Sequence, residues 1–245
     1  MKWSSSMRRL FCLILLLAIA CDREWRAPFE PPLDGLIAYY PFNGNANDAS
    51  GNGYHGTLVS ASANGSLIIG NNTSDRLIIP SAVLHGRSDF TILAYVKITT
   101  LHTESANWSW NTLISGATAS NDNNFYFGYK GDQRCWGYGH RDITYYFPRD
   151  QANWAQRWHL VALQRRGAYA QLLIDGEPIG SGLTVNSTPL TIDISGLVVG
   201  QEQDSVGGSF DIRQSFWGEI DDLLFYDRAL SEEEIEVIKK DNRWN

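Results

Sequence analysis

Cysteine is scarce: the 245 residues hold three, Cys12, Cys21 and Cys135. Cys12 lies in the apolar start of the chain and Cys21 at its edge, which leaves Cys135 for the body of the protein. A lone thiol cannot close an internal disulfide, so an exported chain of this kind must be held by its core. Cys135 stands beside Trp136 with no activating base in sequence and reads as inert. Long apolar runs are missing too. The longest, Leu10 to Ala20, is shorter than the roughly 20 residues a spanning helix needs. Basic residues are outnumbered, 20 against 27 acids, for a net charge of −7. That balance argues against nucleic acid or an anionic membrane as the main partner.

Several chemistries are absent as well. His55, His85, His102, His140 and His159 are scattered without zinc-ligand spacing; His159, after Trp158, reads as a hydrogen-bonded structural histidine. No serine sits in a nucleophile elbow, and Gly182, Gly196, Gly207 and Gly208 do not form a phosphate loop between strand and helix. Asp48-Ala-Ser-Gly-Asn-Gly lacks the alternating acids and closing glutamate of an EF-hand.

The amino terminus has the layout of a secretion signal, with Lys2, Arg8 and Arg9 ahead of the apolar run. Leu17-Ala18-Ile19-Ala20-Cys21 resembles a bacterial lipobox, so residues 1–20 are expected to be a signal peptide and Cys21 a lipidated anchor. Ordinary signal-peptidase cleavage is the rival reading, Ala18 being less typical than leucine. Loss of residues 1–20 would take the net charge from −7 to −10, since three bases and no acid go with them. Residues 21–34, with Pro28, Pro31 and Pro32, read as a short stiff tether. The expected location is the cell envelope, membrane-anchored and facing the periplasm or the surface.

Beyond residue 34 the pattern is that of short strands. Leu36 to Tyr40, Leu67 to Ile69 and Leu77 to Ile79 are apolar, Phe90 to Lys97 nearly alternates, and Asp175-Gly176 is a hairpin turn between Ala170 to Ile174 and Glu177 to Ile179. From Ile220 to Tyr226 apolar residues occupy both parities, so that strand is expected to be covered on both faces, with Asp221 or Asp222 among buried neighbours. Ser231 and Glu234 then form a capping box, Leu230 and Ile235 a hydrophobic staple, and Lys239 and Lys240 suit the far end of a short helix.

Four motifs carry a resemblance: Gly35 to Thr57, Phe90 to Lys97, Trp158 to Leu163 with Leu173 to Gly176, and Gly218 to Ile235. In this order they resemble the laminin-G-like branch of the concanavalin A-like lectin/glucanase superfamily. The resemblance implies one all-β domain over residues 35–245: a two-sheet antiparallel jelly-roll sandwich with one short C-terminal helix. It also implies that the chain ends lie together with a calcium nearby, which would make Asn43, Asp48 and one of Asp221 or Asp222 a shared site. An Asx-turn network without metal is the alternative for the Asn- and Asp-rich loop.

Residues 102–154 are dense in rings and planar polar groups, the combination that stacks sugars and pairs with their hydroxyls. Trp108 and Trp110 lie in a polar, loop-like stretch and are expected to be exposed. Trp136, Tyr138 and His140 share the same spacing, with Arg141 beside them. Many of these rings could instead be core. The expected function is glycan recognition, with a cell-surface or matrix protein as the alternative partner and a glucanase third. Retaining glucanases of this superfamily use Glu-x-Asp-x-x-Glu; Glu219-Ile220-Asp221 matches the opening, but Leu224 stands where the closing glutamate belongs.

Overall fold

The computed structural model describes residues 29–105, 108–150, 152–154 and 156–240. The expectations for residues 1–20, Cys21 and most of the tether lie outside the described residues. The chain divides into two compact units, Met1–Pro31 and Pro32–Asn245, and every element below belongs to the second.

The strands in chain order are β1 (Leu36–Tyr40), β2 (Thr57–Val59), β3 (Ser62–Ala63), β4 (Leu67–Ile69), β5 (Arg76–Ile78), β6 (Asp89–Ile98), β7 (Asn111–Thr118) and β8 (Asn121–Lys130). There follow β9 (Cys135–His140), β10 (Ile143–Tyr146), β11 (Trp158–Arg166), β12 (Tyr169–Ile174), β13 (Glu177–Pro178), β14 (Leu183–Thr184), β15 (Leu197–Val199) and β16 (Gly218–Tyr226). One helix, α1 (Glu232–Lys240), closes the described chain. They form two antiparallel sheets. The first has nine strands, ordered β13-β12-β11-β6-β16-β4-β3, with β1 on β16 and β14 on β12; the second has seven, ordered β10-β9-β8-β7-β15-β5-β2. This is the jelly-roll sandwich that the sequence leads one to expect.

The core lies between the sheets. Ile92, Ala94, Val161, Leu163, Ile220 and Phe225 enter it from the nine-stranded sheet, and Phe125, Phe127, Trp136 and Leu197 from the other. β16 is covered on both faces, as its double apolar parity predicts. Leu223 and Phe225 face the core, and Leu224 is buried on the opposite side. Ile235 and Ile238 of α1 are buried too, and the Tyr95 hydroxyl on neighbouring β6 donates to the Ile238 carbonyl at 3.2 Å. The capping box is present: Ser231 Oγ accepts from the Glu234 amide at 3.3 Å, and Glu234 Oε2 accepts from the Ser231 amide at 2.8 Å. Asp175-Gly176 makes the predicted hairpin turn with both φ angles positive, 53° and 84°.

The first and last strands of the sandwich do meet. β1 pairs with β16, Leu36 opposite Tyr226 and Tyr40 opposite Leu223. A bulge between Asp221 and Leu224 breaks the β16 to β6 register and puts Asp222 at φ 45°.

Candidate functional site: an aromatic face on the seven-stranded sheet

Because side chains alternate along a strand, register decides which rings reach solvent. β9 pairs with β8 so that Trp136 lies opposite Tyr129, Tyr138 opposite Phe127 and His140 opposite Phe125. All six side chains are buried and five rings among them join the core. Trp136 packs 4.7 Å from Phe127 and 5.4 Å from Trp154, ring centre to ring centre. The Tyr138 hydroxyl accepts from Arg165 Nη1 at 3.2 Å. Arg165 is itself 1% exposed, and its other donors reach the carbonyls of Gly167, Asn186 and Thr188. The expectation that Trp136, Tyr138 and His140 meet a sugar is therefore corrected. Their parity faces inward, and a ring in the core has no face to offer.

The opposite parity of β9 is Cys135, Gly137 and Gly139, and over those glycines lie two rings. A Cβ on Gly137 would come within 2.5 Å of Trp110, and one on Gly139 within 2.1 Å of Tyr126. Only glycine lets rings approach the sheet so closely. Trp110 meets Tyr126 edge-on at 5.7 Å and stacks on Tyr146 of β10 at 5.9 Å and 19°. The Lys130 ammonium sits 5.4 Å from the Trp110 ring centre. Trp110 is thus 5% exposed, a second correction: it is the middle of a cluster, not a free platform.

The surfaces left open are Trp108, 51% exposed, and Tyr146, 42% exposed. Trp108 does meet its expectation of exposure. The Arg213 carbonyl accepts the Trp110 amide at 2.8 Å, and the Arg213 guanidinium lies 5.5 Å over the Trp108 ring while pairing with Asp211. The Tyr126 hydroxyl shares a hydrogen bond with Thr144. Burial, with the charges of Glu202 and Asp142 nearby, keeps the Tyr126 phenol protonated. Ser109, between the two tryptophans, donates to Glu104 at 2.9 Å. Tyr146 therefore keeps an open ring stacked on buried Trp110, and Trp108, two residues before Trp110, keeps an open ring under Arg213; such rings, with carboxylates and hydroxyls nearby, can hold the C–H face of a sugar and pair its hydroxyls. Tyr126 and Tyr146 were not singled out from the sequence. The usable signal was that Tyr126 has the opposite parity to Phe125 and Phe127.

Arg141 stands apart from this cluster, exposed in the two-residue turn Arg141-Asp142 between β9 and β10, where φ is 51° and 64°.

The calcium ligand set does not assemble. Asp48 Oδ1 accepts from the amides of Tyr39 at 3.0 Å and Ser50 at 2.8 Å, and Oδ2 from the Tyr54 amide at 3.0 Å. Burial opposes the charge, but these bonds outweigh it and hold the Asp48 carboxyl below its usual range. Asp222 Oδ1 accepts from the Tyr39 hydroxyl at 2.5 Å, Asp221 is buried opposite Tyr95, and Asn43 is exposed in a bridge to Asn64. Among the described residues no three acids, histidines or cysteines are grouped so as to hold a metal ion. The loop is a turn network in which the Asp48 carboxylate is taken up by backbone amides and Ser50 and Asn52 donate to the carbonyls of β1, so these residues do not fit a resident calcium.

Glu219 of the partial glucanase motif lies on the other sheet, bound to Lys97 at 2.5 Å and to Ser66 at 2.9 Å. His159 is the structural histidine expected, with Nδ1 2.7 Å from Asp175. Cys135 is buried, which pushes its thiol up to about 11.

A two-sheet antiparallel sandwich of this kind is a jelly roll. Residues 70–236 match the Laminin_G_3 family model, described as the concanavalin A-like lectin/glucanases superfamily, and the chain belongs to that family. It is 43% identical over 74 residues to serum amyloid P-component of Bos taurus, covering 28% of this chain and 30% of that protein. The chain thus spans less than a third of that relative's length. Among solved structures it resembles the native heptameric SAP-like pentraxin from Limulus polyphemus, with a TM-score of 0.53 and 23% identity over 64% of this chain and 71% of that one. It also resembles domain 4 of AbnA, a GH43 extracellular arabinanase from Geobacillus stearothermophilus solved with arabinotriose. There the TM-score is 0.59 and the identity 16%, over 82% of this chain and 97% of that domain. Both structural likenesses speak to the fold alone.

Proposed function

We propose that this protein is a non-catalytic recognition domain that binds glycans across the outer face of the seven-stranded sheet. Trp108 and Tyr146 are the stacking platforms, and Trp110 and Tyr126 are the rigid backing. The carrying observation is the exposed Tyr146 ring stacked on Trp110, which is itself seated against Gly137, with the exposed Trp108 ring two residues before Trp110. Burying one ring face against a sugar removes about 100 Å² of apolar surface from water, worth about 2.5 kcal/mol before ordering costs. The non-catalytic reading rests on Glu219, which is held by Lys97 and Ser66, and on Leu224 in place of a second carboxylate. Export, and attachment to the cell envelope through Cys21, belong to the same proposal.

The test is a glycan array followed by calorimetry on the best hit, with arabinotriose as the first probe because a structural neighbour was solved with it. Trp108→Ala and Tyr146→Ala should each weaken binding by about ten- to a hundredfold while leaving the melting temperature unchanged. Absence of any glycan ligand for the wild type, or full affinity in both variants, would overturn the reading and favour a protein partner.

A further inference from the structure

The nine-stranded sheet carries a cleft that the aromatic face does not involve. It has a volume of about 380 Å³ and lies between the outer side of β11 and β12 and the start of α1. Its floor is apolar: Leu173, Leu230 and Ile235 are buried there, and Pro178 and Ala229 line it further. Tyr169, 45% exposed, forms one wall, held upright by hydroxyl bonds to Gln171 and to the Ser181 carbonyl at 3.0 and 2.6 Å.

The amides that line the cleft are committed elsewhere. Gln164 Nε2 donates to the Leu230 carbonyl at 2.9 Å and Gln171 Nε2 to the Leu172 carbonyl at 2.8 Å. Arg165 turns its side chain into the core. That leaves Arg166, exposed on the rim. Its guanidinium has no hydrogen-bond or ion-pair partner among the described residues, whereas Arg165, Arg213 and Arg228 are all engaged. Glu232 also lines the cleft, at the first position of α1, where the helix dipole offsets its charge.

An apolar trough with one unspent guanidinium at its edge is complementary to a small molecule with an apolar body and a single carboxylate. A guanidinium binds such a carboxylate through two parallel hydrogen bonds. We infer that this cleft is a second binding site, for small amphipathic carboxylates, independent of the glycan face.

Octanoate is the probe, with octanol as the same body without the charge and acetate as the charge without the body. Titrated into the protein by calorimetry, octanoate should bind, octanol about tenfold or more weaker, and acetate not measurably. Arg166→Gln should cost octanoate about tenfold and leave octanol unchanged. Ala229→Phe, which fills the trough, should abolish both, and Trp108→Ala should alter neither. Melting temperatures of the variants are checked first, and Arg166→Lys, which keeps the charge but not the fork, should retain an intermediate affinity. The inference is overturned if octanoate fails to bind at millimolar concentration, if Arg166→Gln binds it as the wild type does, or if binding survives in Ala229→Phe.

Discussion

The benzo edge of the Trp110 indole is set against Gly137, so closely that a methyl group at 137 would come within 2.5 Å of it. A strand residue and a loop residue 27 positions earlier are thereby matched: the missing side chain on β9 is the seat of the ring. Tyr126 over Gly139 repeats the relationship on the same strand.

That seat can be tested without touching a ring. Gly137→Ala must push Trp110 off the sheet and, with it, Tyr146, which stacks on it at 5.9 Å. Affinity for the glycan ligand should fall about tenfold, and a destabilisation of about 1 to 3 kcal/mol should accompany it, as for other overpacked sites. Calorimetry and chemical unfolding on the same sample measure both. Wild-type affinity in this variant would mean that the cluster does not shape the site.

Tryptophans on the two sides of the seven-stranded sheet should respond oppositely to truncation. Trp136→Ala removes a side chain of 0% exposure and should cost about 3 to 5 kcal/mol of stability, read from urea unfolding, with binding lost only as the protein unfolds. Trp108→Ala should leave the unfolding midpoint in place. A stable Trp136→Ala protein that has lost its ligand would reverse the assignment of inner and outer faces.

His140 makes stability depend on pH in a definite sense. Burial, followed by the nearby guanidinium groups of Arg165 and Arg141, pushes its imidazole down to about 4. In the unfolded chain it titrates at about 6.5, so between these values the unfolded state binds more protons. Its contribution is complete above pH 6.5 and is lost as pH falls toward 4, by on the order of 3 kcal/mol. Urea unfolding from pH 7.5 to 4.5 should show this slope in the wild type and a flatter one in His140→Leu; parallel profiles would count against a neutral buried imidazole. His159 acts in the other direction. Burial pulls it down, but the Asp175 bond prevails and raises it, so its smaller contribution is present below pH 6.5 and is lost as pH rises through its folded value.

Asp48 should matter to stability without any metal. Its two oxygens collect three backbone amides, each such bond to a charged acceptor contributing about 1.5 to 3 kcal/mol. Asp48→Ala should lower the melting temperature equally in calcium and in chelator, and chelator alone should leave the wild type unmoved. A wild-type melting temperature that rises with calcium would restore the cation site.

The elements were legible in the amino acids because each obeys a local rule. The apolar blocks of β1 and β4, the Asp175-Gly176 turn, the capping box at Ser231 and the double parity of β16 all state their structure within a few residues, and the four motifs in order identify the family. What could not be read locally was which side of a strand faces water. Trp136-Gly-Tyr-Gly-His140 offers an aromatic parity and a glycine parity, and nothing within β9 says which is outermost. Pairing with Phe125, Phe127 and Tyr129 turns the rings inward and leaves the glycines as a floor for Trp110 and Tyr126. The loop around Asp48 is similar: its asparagines and single carboxylate suggest a cation until the fold delivers the Tyr39, Ser50 and Tyr54 amides to Asp48. A strand's period of two is a property of its own residues, but its phase is set by partners distant in sequence, so only the assembled sandwich could choose between core and binding face.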